Sequence, residues 1–367
     1  MKFSIEQKAL AASLRQAKRF TELKTMPILS SVVITADKAD RVRFQATDLE
    51  ISIKLSQAAN VTEQGVVVVP VRQALALVSK LKGMVTVESA EDDSVVFRSE
   101  SQGFSAKLAG NPFDEYPTLP TFDQVGDWVA SQALARAFKT VLHAVGKDMT
   151  RYNLNGICID SDGEPTVRCI ATDGHRLAVA DAGPISLPWS DEVILPLKVV
   201  KLLIPLLSKV QQVRMVMNGT HQLQVSNGEW SVCCRLIEGE FPNWKQVVPR
   251  EITETIQVDR DEFADALASI IPMAPERSRM VRLVINGDIR METSNPDFGD
   301  SSISCACDRW DSKPEMVMAF NGNYLLDAIK ELDAQKIHIE IKDDVSPVRF
   351  SVCEEPLPFS IVMPMRA

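Results

Sequence analysis

Cys169-Ile170-Ala171-Thr172-Asp173 echoes Phe44-Gln45-Ala46-Thr47-Asp48, and the shared Ala-Thr-Asp ending is displaced by 125 residues. A period that long is the length of a domain, and the flanking sequence keeps to it. Before each copy stands an alternating apolar stretch that reads as its hairpin partner, Leu29-Ser30-Ser31-Val32-Val33-Ile34 in one case and Leu154-Asn155-Gly156-Ile157-Cys158-Ile159 in the other. Asp162-Gly163 supplies the turn of the second pair. A third pair runs from Val281-Arg282-Leu283-Val284-Ile285 through Asn286-Gly287 to Met291-Glu292-Thr293-Ser294-Asn295, with Thr293 lying 121 residues beyond Thr172.

The spacing also predicts a short strand and then a helix at the head of each third: Lys2-Phe3-Ser4 into Glu6–Phe20, Asp127-Trp128-Val129 into Gln132–Val145, and Thr255–Val258 into Asp261–Ile271. Apolar residues recur there at helical intervals, as Leu10, Leu14 and Ala17, as Leu134, Phe138 and Val141, and as Phe263, Leu267 and Ile270. A strand and a second helix follow: Val66–Pro70 into Val71–Leu81, Val193–Pro196 into Leu197–Lys209, and Met316–Phe320 into Tyr324–Leu332. Each third closes with a further strand pair, and two of the closures end alike, in Phe113-Asp114-Glu115-Tyr116-Pro117 and Glu240-Phe241-Pro242-Asn243-Trp244. The expected fold class is α+β, with three tandem domains of two helices and about eight strands each. Their boundaries fall near 124 and 250, giving domains 1–124, 125–250 and 251–367. Exposed edge strands of neighbouring domains could pair into longer sheets.

Composition agrees with a globular chain: of 367 residues, 45% are hydrophobic and 24% charged, enough for several cores. No apolar run approaches a membrane span, and Met1-Lys2-Phe3-Ser4-Ile5-Glu6 lacks a basic stretch followed by an apolar one, so the expected location is cytoplasmic. Seven cysteines without C-x-x-C spacing suggest buried thiols in strands rather than disulfides or a metal site. The net charge of −9 argues at first against a nucleic-acid partner, but it is unevenly spread. Lys+Arg against Asp+Glu stand at 15 and 15 over residues 1–125, 13 and 12 over 126–250, and 12 and 22 over 251–367. The acidity is confined to the last third, and a local basic surface is compatible with the rest.

No phosphate-cradling glycine loop, H-E-x-x-H or G-x-S-x-G is present, and the four histidines have no metal-ligand spacing, so no catalytic residue, metal or cofactor is expected. Thr172-Asp173-Gly174-His175-Arg176-Leu177 does gather an acid, a base and a cation. It can be a general-base site, though the third group of a triad is missing. It can be a plain turn in which Asp173 caps backbone N–H groups and Gly174 takes a positive φ, or a recognition pocket for a peptide. Basic residues recur in matching elements, Arg15 and Lys18 against Arg136 and Lys139 on the first helices, Arg72, Lys80 and Lys82 against Lys198, Lys201 and Lys209 on the second. Solvated helix faces would look the same, but the repetition favours a shared basic surface.

The stretches Met26-Pro27-Ile28-Leu29, Ala46-Thr47-Asp48-Leu49-Glu50, Tyr152-Asn153-Leu154-Asn155-Gly156, Ala171–Leu177, Glu238-Gly239-Glu240-Phe241-Pro242 and Val362-Met363-Pro364-Met365-Arg366, taken in order, resemble the bacterial DNA polymerase III beta subunit, the sliding clamp. The resemblance implies a head-to-tail homodimer whose six domains close a ring around double-stranded DNA, each chain forming half of it. Twelve helices side by side at about 8–10 Å give a circumference of roughly 110 Å and an axial diameter of about 35 Å. With a helix thickness of about 10 Å removed, a duplex fits. Attachment by encirclement needs only weak phosphate contacts, which reconciles DNA with an acidic protein.

By the same resemblance, the partners are the replicative DNA polymerase, a clamp loader and other clamp-binding peptides. The peptide pocket is expected at Leu154, Thr172, Gly174, His175, Arg176, Leu177, Pro242, Val247, Ile361, Met363, Pro364 and Met365. DNA contacts are expected from Lys24, Arg72, Lys139, Arg151, Tyr152, Lys198, Arg277 and Arg279, and the dimer interface from Phe104, Ala106 and Leu108 at one end and from Ile271 and Met273 at the other. Two positions depart from the pattern: Gln246 stands where a basic residue is expected, and Asn153 follows Tyr152 where a second aromatic would be typical. The competing readings are an enzyme acting on nucleic acid through the Asp173/His175 turn and a plain structural oligomer.

Overall fold

The computed structural model describes residues 1–21, 26–37, 40–122, 126–160, 166–185, 187–189, 192–219, 221–308, 314–352 and 357–366. Among them are six α-helices and 25 strands in α+β order. The chain divides into two compact units, one made of Met1–Val129 with Gln212–Leu236 and the other of Ala130–Gln211 with Ile237–Ala367.

Helices α1 (Gln7–Lys18) and α2 (Val71–Val78) belong to the first unit. Helices α3 (Ser131–Val141), α4 (Leu197–Leu207), α5 (Arg260–Ile270) and α6 (Gly322–Lys330) belong to the second. They pack in pairs, α1 on α2, α3 on α4 and α5 on α6. The apolar stripes expected from the sequence are the buried ones: Leu10, Leu14 and Ala17 on α1, Leu134, Phe138 and Val141 on α3, and Phe263, Leu267 and Ile270 on α5. Asp259 caps α5 by accepting from the N–H groups of Asp261 and Glu262, and Asn321 caps α6 through those of Asn323 and Tyr324. Among the described residues no helix is long and apolar enough to cross a membrane.

In the first unit, an eight-stranded sheet joins two repeats edge to edge, because Trp230–Arg235 pairs antiparallel with Ile51–Ala58. In the second unit, Arg176–Asp181 pairs in the same manner with Phe359–Val362, again within a sheet of eight strands. A five-stranded sheet and a four-stranded sheet complete the first and second units, respectively. The pairing of neighbouring repeats is therefore observed, and the structure identifies which edges meet.

Several sequence expectations shift locally. The third hairpin reverses at Gly287, whose φ is +81°, while the Asp162-Gly163 turn lies outside the described residues. Helix α2 stops at Val78 rather than continuing to Leu81. Cys307 was expected in a strand but lies beyond the end of Gly299–Cys305, where its Sγ is 3.5 Å from the carbonyl of Gly287; Cys353 is outside the described residues. Cys158, Cys169, Cys233, Cys234 and Cys305 are free, buried and in strands.

Candidate functional site

The turn between the strands Arg168–Thr172 and Arg176–Asp181 is built by its own side chains. Thr172 Oγ1 donates to the Arg176 carbonyl at 2.7 Å and accepts from Gly174 N at 3.1 Å. Asp173 Oδ1 accepts from His175 N at 2.9 Å and from Arg176 N at 3.1 Å. This is an Asx turn, and it puts Gly174 at φ +90°. The same bonds recur at Thr47–Ile51, where Thr47 Oγ1 donates to the Ile51 carbonyl and Asp48 Oδ1 accepts from Glu50 N and Ile51 N. There Leu49 takes the left-handed position, at φ +79°. In the second copy a Cβ on Gly174 would lie 2.5 Å from a guanidinium nitrogen of Arg151, so any larger residue there would push the tip of that arginine aside.

With its Oδ1 committed to the turn and its Oδ2 accepting from Arg176 Nε at 3.0 Å, Asp173 is a structural acceptor rather than a free general base. The turn then aims the next residues. Leu177 stands opposite Ile361, Arg176 opposite Val362, and Met363 N donates to the His175 carbonyl at 3.0 Å. Middle-repeat and C-terminal residues thus form one continuous wall.

That wall bounds a cavity of about 430 Å3. Leu154, Thr172, Gly174, His175, Arg176, Leu177, Pro242, Val247, Ile361 and Met363, all expected from the sequence, line it. Pro364 and Met365 do not, because the chain turns away and Met365 N bonds the Ala319 carbonyl at 2.7 Å. Arg151, Asn153 and Trp244 line it as well. Arg151, expected at DNA from the resemblance, borders the cavity too, and Asn153 is held there by its amide donating to the Glu240 carbonyl at 2.9 Å. Trp244 was legible in principle, being a large apolar residue between Pro242 and Val247. Leu177, Ile361 and Arg176 are buried in its lining and Arg151 and His175 are exposed, a distribution suited to an apolar ligand with a few polar anchors.

His143, behind this wall, has Nε2 at 3.4 Å from Ser360 Oγ and leaves a buried Nδ1 without a partner. Burial, reinforced by the neighbouring Arg176 charge, pushes its pKa down to about 4 against the opposing pull of Asp327 and Asp173. The imidazole is therefore neutral at physiological pH.

The residues expected at DNA are placed variously. Arg72 on α2, Lys139 on α3, Lys198 on α4, Arg277 and Tyr152 are exposed, Arg279 is half-buried at φ +49°, and Lys24 lies outside the described residues. Lys139 stands 4.0 Å from Glu331.

At the expected dimer ends, Phe104, Ala106 and Leu108 share the face of Val95 and Phe97 through their register partners, on a strand that terminates its sheet. Ile271 is only 8% exposed and belongs to the core around Phe263 and Leu267, whereas Met273 is half-buried. Among the described residues, isolated bridges cover the edge strands Gly65–Pro70, Val193–Pro196, Glu254–Asp259 and Met316–Asn321. Of the edges without such a bridge, Phe104–Leu108 and Gly299–Cys305 are the longest.

Comparison with known proteins gives a consistent result along the chain. The N-terminal, central and C-terminal domains described for the DNA polymerase III beta subunit match residues 1–120, 128–243 and 245–366. The beta sliding clamps of Caulobacter vibrioides and Escherichia coli are 27% and 28% identical, with all of this chain and all of each relative covered. The crystal structure of the Bartonella birtlesii sliding clamp bound to griselimycin superposes with a TM-score of 0.92 at 27% identity, covering both chains fully. That of the Bacillus subtilis clamp gives 0.92 at 25% identity, covering 100% of this chain and 99% of the other. With matched domains, in the same order, accounting for nearly every residue, the chain belongs to the DNA polymerase III beta subunit family, the bacterial sliding clamps.

Proposed function

We propose that the cavity between the Thr172–Leu177 turn and Ile361–Met363 is the docking site through which this clamp tethers a replicative polymerase and other DNA-processing proteins, by a short peptide with an apolar tail. The observation that carries this is the joining of two distant segments into one apolar wall that holds the buried Arg176, with the exposed His175 and Arg151 beside it. Such a groove anchors side chains by burial and orients the peptide by a few polar groups. The griselimycin-bound clamp of Bartonella birtlesii supports a ligand site on this fold. Fluorescence anisotropy with a labelled peptide carrying Gln and a Leu-Phe tail should give saturable, micromolar binding displaced by griselimycin; peptide binding that griselimycin leaves untouched rejects this site.

Assembly is proposed to follow from the two long unbridged edges, Phe104–Leu108 of one protomer adding to Gly299–Cys305 of the next. Repeated head to tail, that contact closes a two-chain ring. The ring encircles duplex DNA, with Arg72, Lys139, Lys198, Arg277 and Arg279 offering phosphate contacts. The three domains are taken as 1–124, 125–250 and 251–367, a clamp loader opens the ring, and the protein works in the cytoplasm without a cofactor.

A further inference from the structure

Arg176 bounds two cavities at once. One is the proposed peptide site; the other, of about 270 Å3, lies beyond it and is also lined by Lys147, Asp173 and Tyr324. Arg151, Leu154 and His175 border both cavities as well, but of these four residues Arg176 is the buried cation, its side chain 9% exposed. Its Nε donates to Asp173 Oδ2 at 3.0 Å, and its Nη1 donates to Asp327 Oδ2 at 2.8 Å. Its plane lies over the Tyr324 ring at 4.2 Å from the centroid, and the same ring stacks with His175 at 6.5 Å. Asp173 belongs to the turn itself, but Asp327 and Tyr324 are on α6, in the next repeat.

We propose that Asp327 is a positioning residue that sets the ligand preference of the pocket by holding Arg176 in the wall. Asp327 does not line the peptide cavity and acts only through the guanidinium. With both Nε and Nη1 engaged by carboxylates, Arg176 presents a neutralised, flat wall, and an apolar tail is favoured over an acidic one. Releasing the Nη1 side leaves a cation held by Asp173 and by its stacking on Tyr324, freer to turn toward the cavity and meet a carboxylate with a charge-assisted hydrogen bond. The pocket would then narrow for apolar tails and gain a partner for acidic ones. Asp327 is about half exposed on a helix surface, so its replacement does not open the core.

The inference rests on the peptide-site reading, and the test separates the two. Two labelled peptides, one ending in Leu-Phe and one with Asp replacing the Leu, are titrated against the intact wild-type protein and against D327N, D327E, R176K and the R176K/D327N double variant. The expected result is a shift of the affinity ratio toward the acidic peptide by about tenfold in D327N, with most of the wild-type preference restored in D327E. Lysine cannot bridge two carboxylates as the guanidinium fork does, so in the R176K background D327N should shift the ratio no further. A ratio unchanged in D327N, or a D327N shift that persists in full with R176K, overturns the proposal. Failure of the wild-type protein to bind either peptide overturns the peptide-site reading and this inference together.

Discussion

Leu177 and Ile361 are direct cross-strand partners, so the C-terminal strand is an integral member of the sheet that carries the Thr172–Arg176 turn. Both are buried, at 3% and 1% exposure, and both still border the cavity. The floor of the site is therefore core as much as surface. Its shape is set by packing that forms on folding, and a ligand meets a groove that exists before it arrives.

Truncating the rim should expose this division of labour. Met363 is half-buried and lines the cavity, so Met363→Ala removes apolar contact from the ligand while leaving the sheet intact. Peptide affinity should fall by about tenfold, the equivalent of ~1.4 kcal/mol. The melting temperature should move little. Affinity within twofold of the wild type, measured by anisotropy, would show that Met363 does not touch the ligand.

The sequence carried the repeat in a legible form because helix stripes and hairpin turns are local patterns: Leu134, Phe138 and Val141, or Thr172 and Asp173, announce themselves without reference to distant residues. The pocket was largely legible through the resemblance, but not at Arg151 or Pro364. Arg151 looks like any surface cation; its place at the cavity depends on the left-handed Gly174 leaving room for a guanidinium. Pro364 and Met365 lie off the cavity because the chain leaves the wall to bond Ala319, a choice made by a sheet edge elsewhere in the unit. The Arg176–Asp327 pair, 151 residues apart, follows no local rule at all.

Charge at the proposed dimer edge should separate protomers. Phe104 is 38% exposed on an edge strand, and Met273 is half-buried, so Phe104→Asp and Met273→Asp each place a carboxylate where a partner is expected without entering the core. Sedimentation should give folded monomers. Ile271→Asp, in contrast, buries a charge in the core of its own unit and should unfold it by several kcal/mol. A Phe104→Asp protein that still sediments as a stable dimer would remove this strand from the interface.

His143 predicts a pH dependence of stability with a definite sign. Its folded pKa, pushed down to about 4, lies below the ordinary value of 6.5, so between these limits the unfolded chain binds the extra proton. The contribution is complete above about pH 6.5 and is lost as the pH falls toward 4. At pH 5 the loss should be ~2 kcal/mol relative to pH 7. Urea denaturation of His143→Gln should show that much less dependence on pH over the same interval. Equal slopes for the two proteins would mean that the imidazole is not buried in the neutral form.

Phosphate contacts should appear as a salt effect. Reversing Arg72, Lys198 and Arg277 to Glu should weaken direct, loader-independent binding to linear duplex and flatten its dependence on salt, since each lost contact releases about one fewer counterion. Dimer formation should be unaffected. Direct binding to linear duplex that the reversals leave unchanged across a salt series would place these side chains away from the duplex.

A protein that holds DNA by surrounding it depends on the continuity of the duplex. It should be loaded by a clamp loader onto nicked circular DNA, separated from free protein by gel filtration, and the circle then cut once with a restriction enzyme. Encirclement predicts stable retention on the circle, even at salt concentrations that abolish ordinary binding, and prompt loss once ends exist. Protein that stays bound to the linear product at the same salt would show that it grips the duplex directly and does not encircle it.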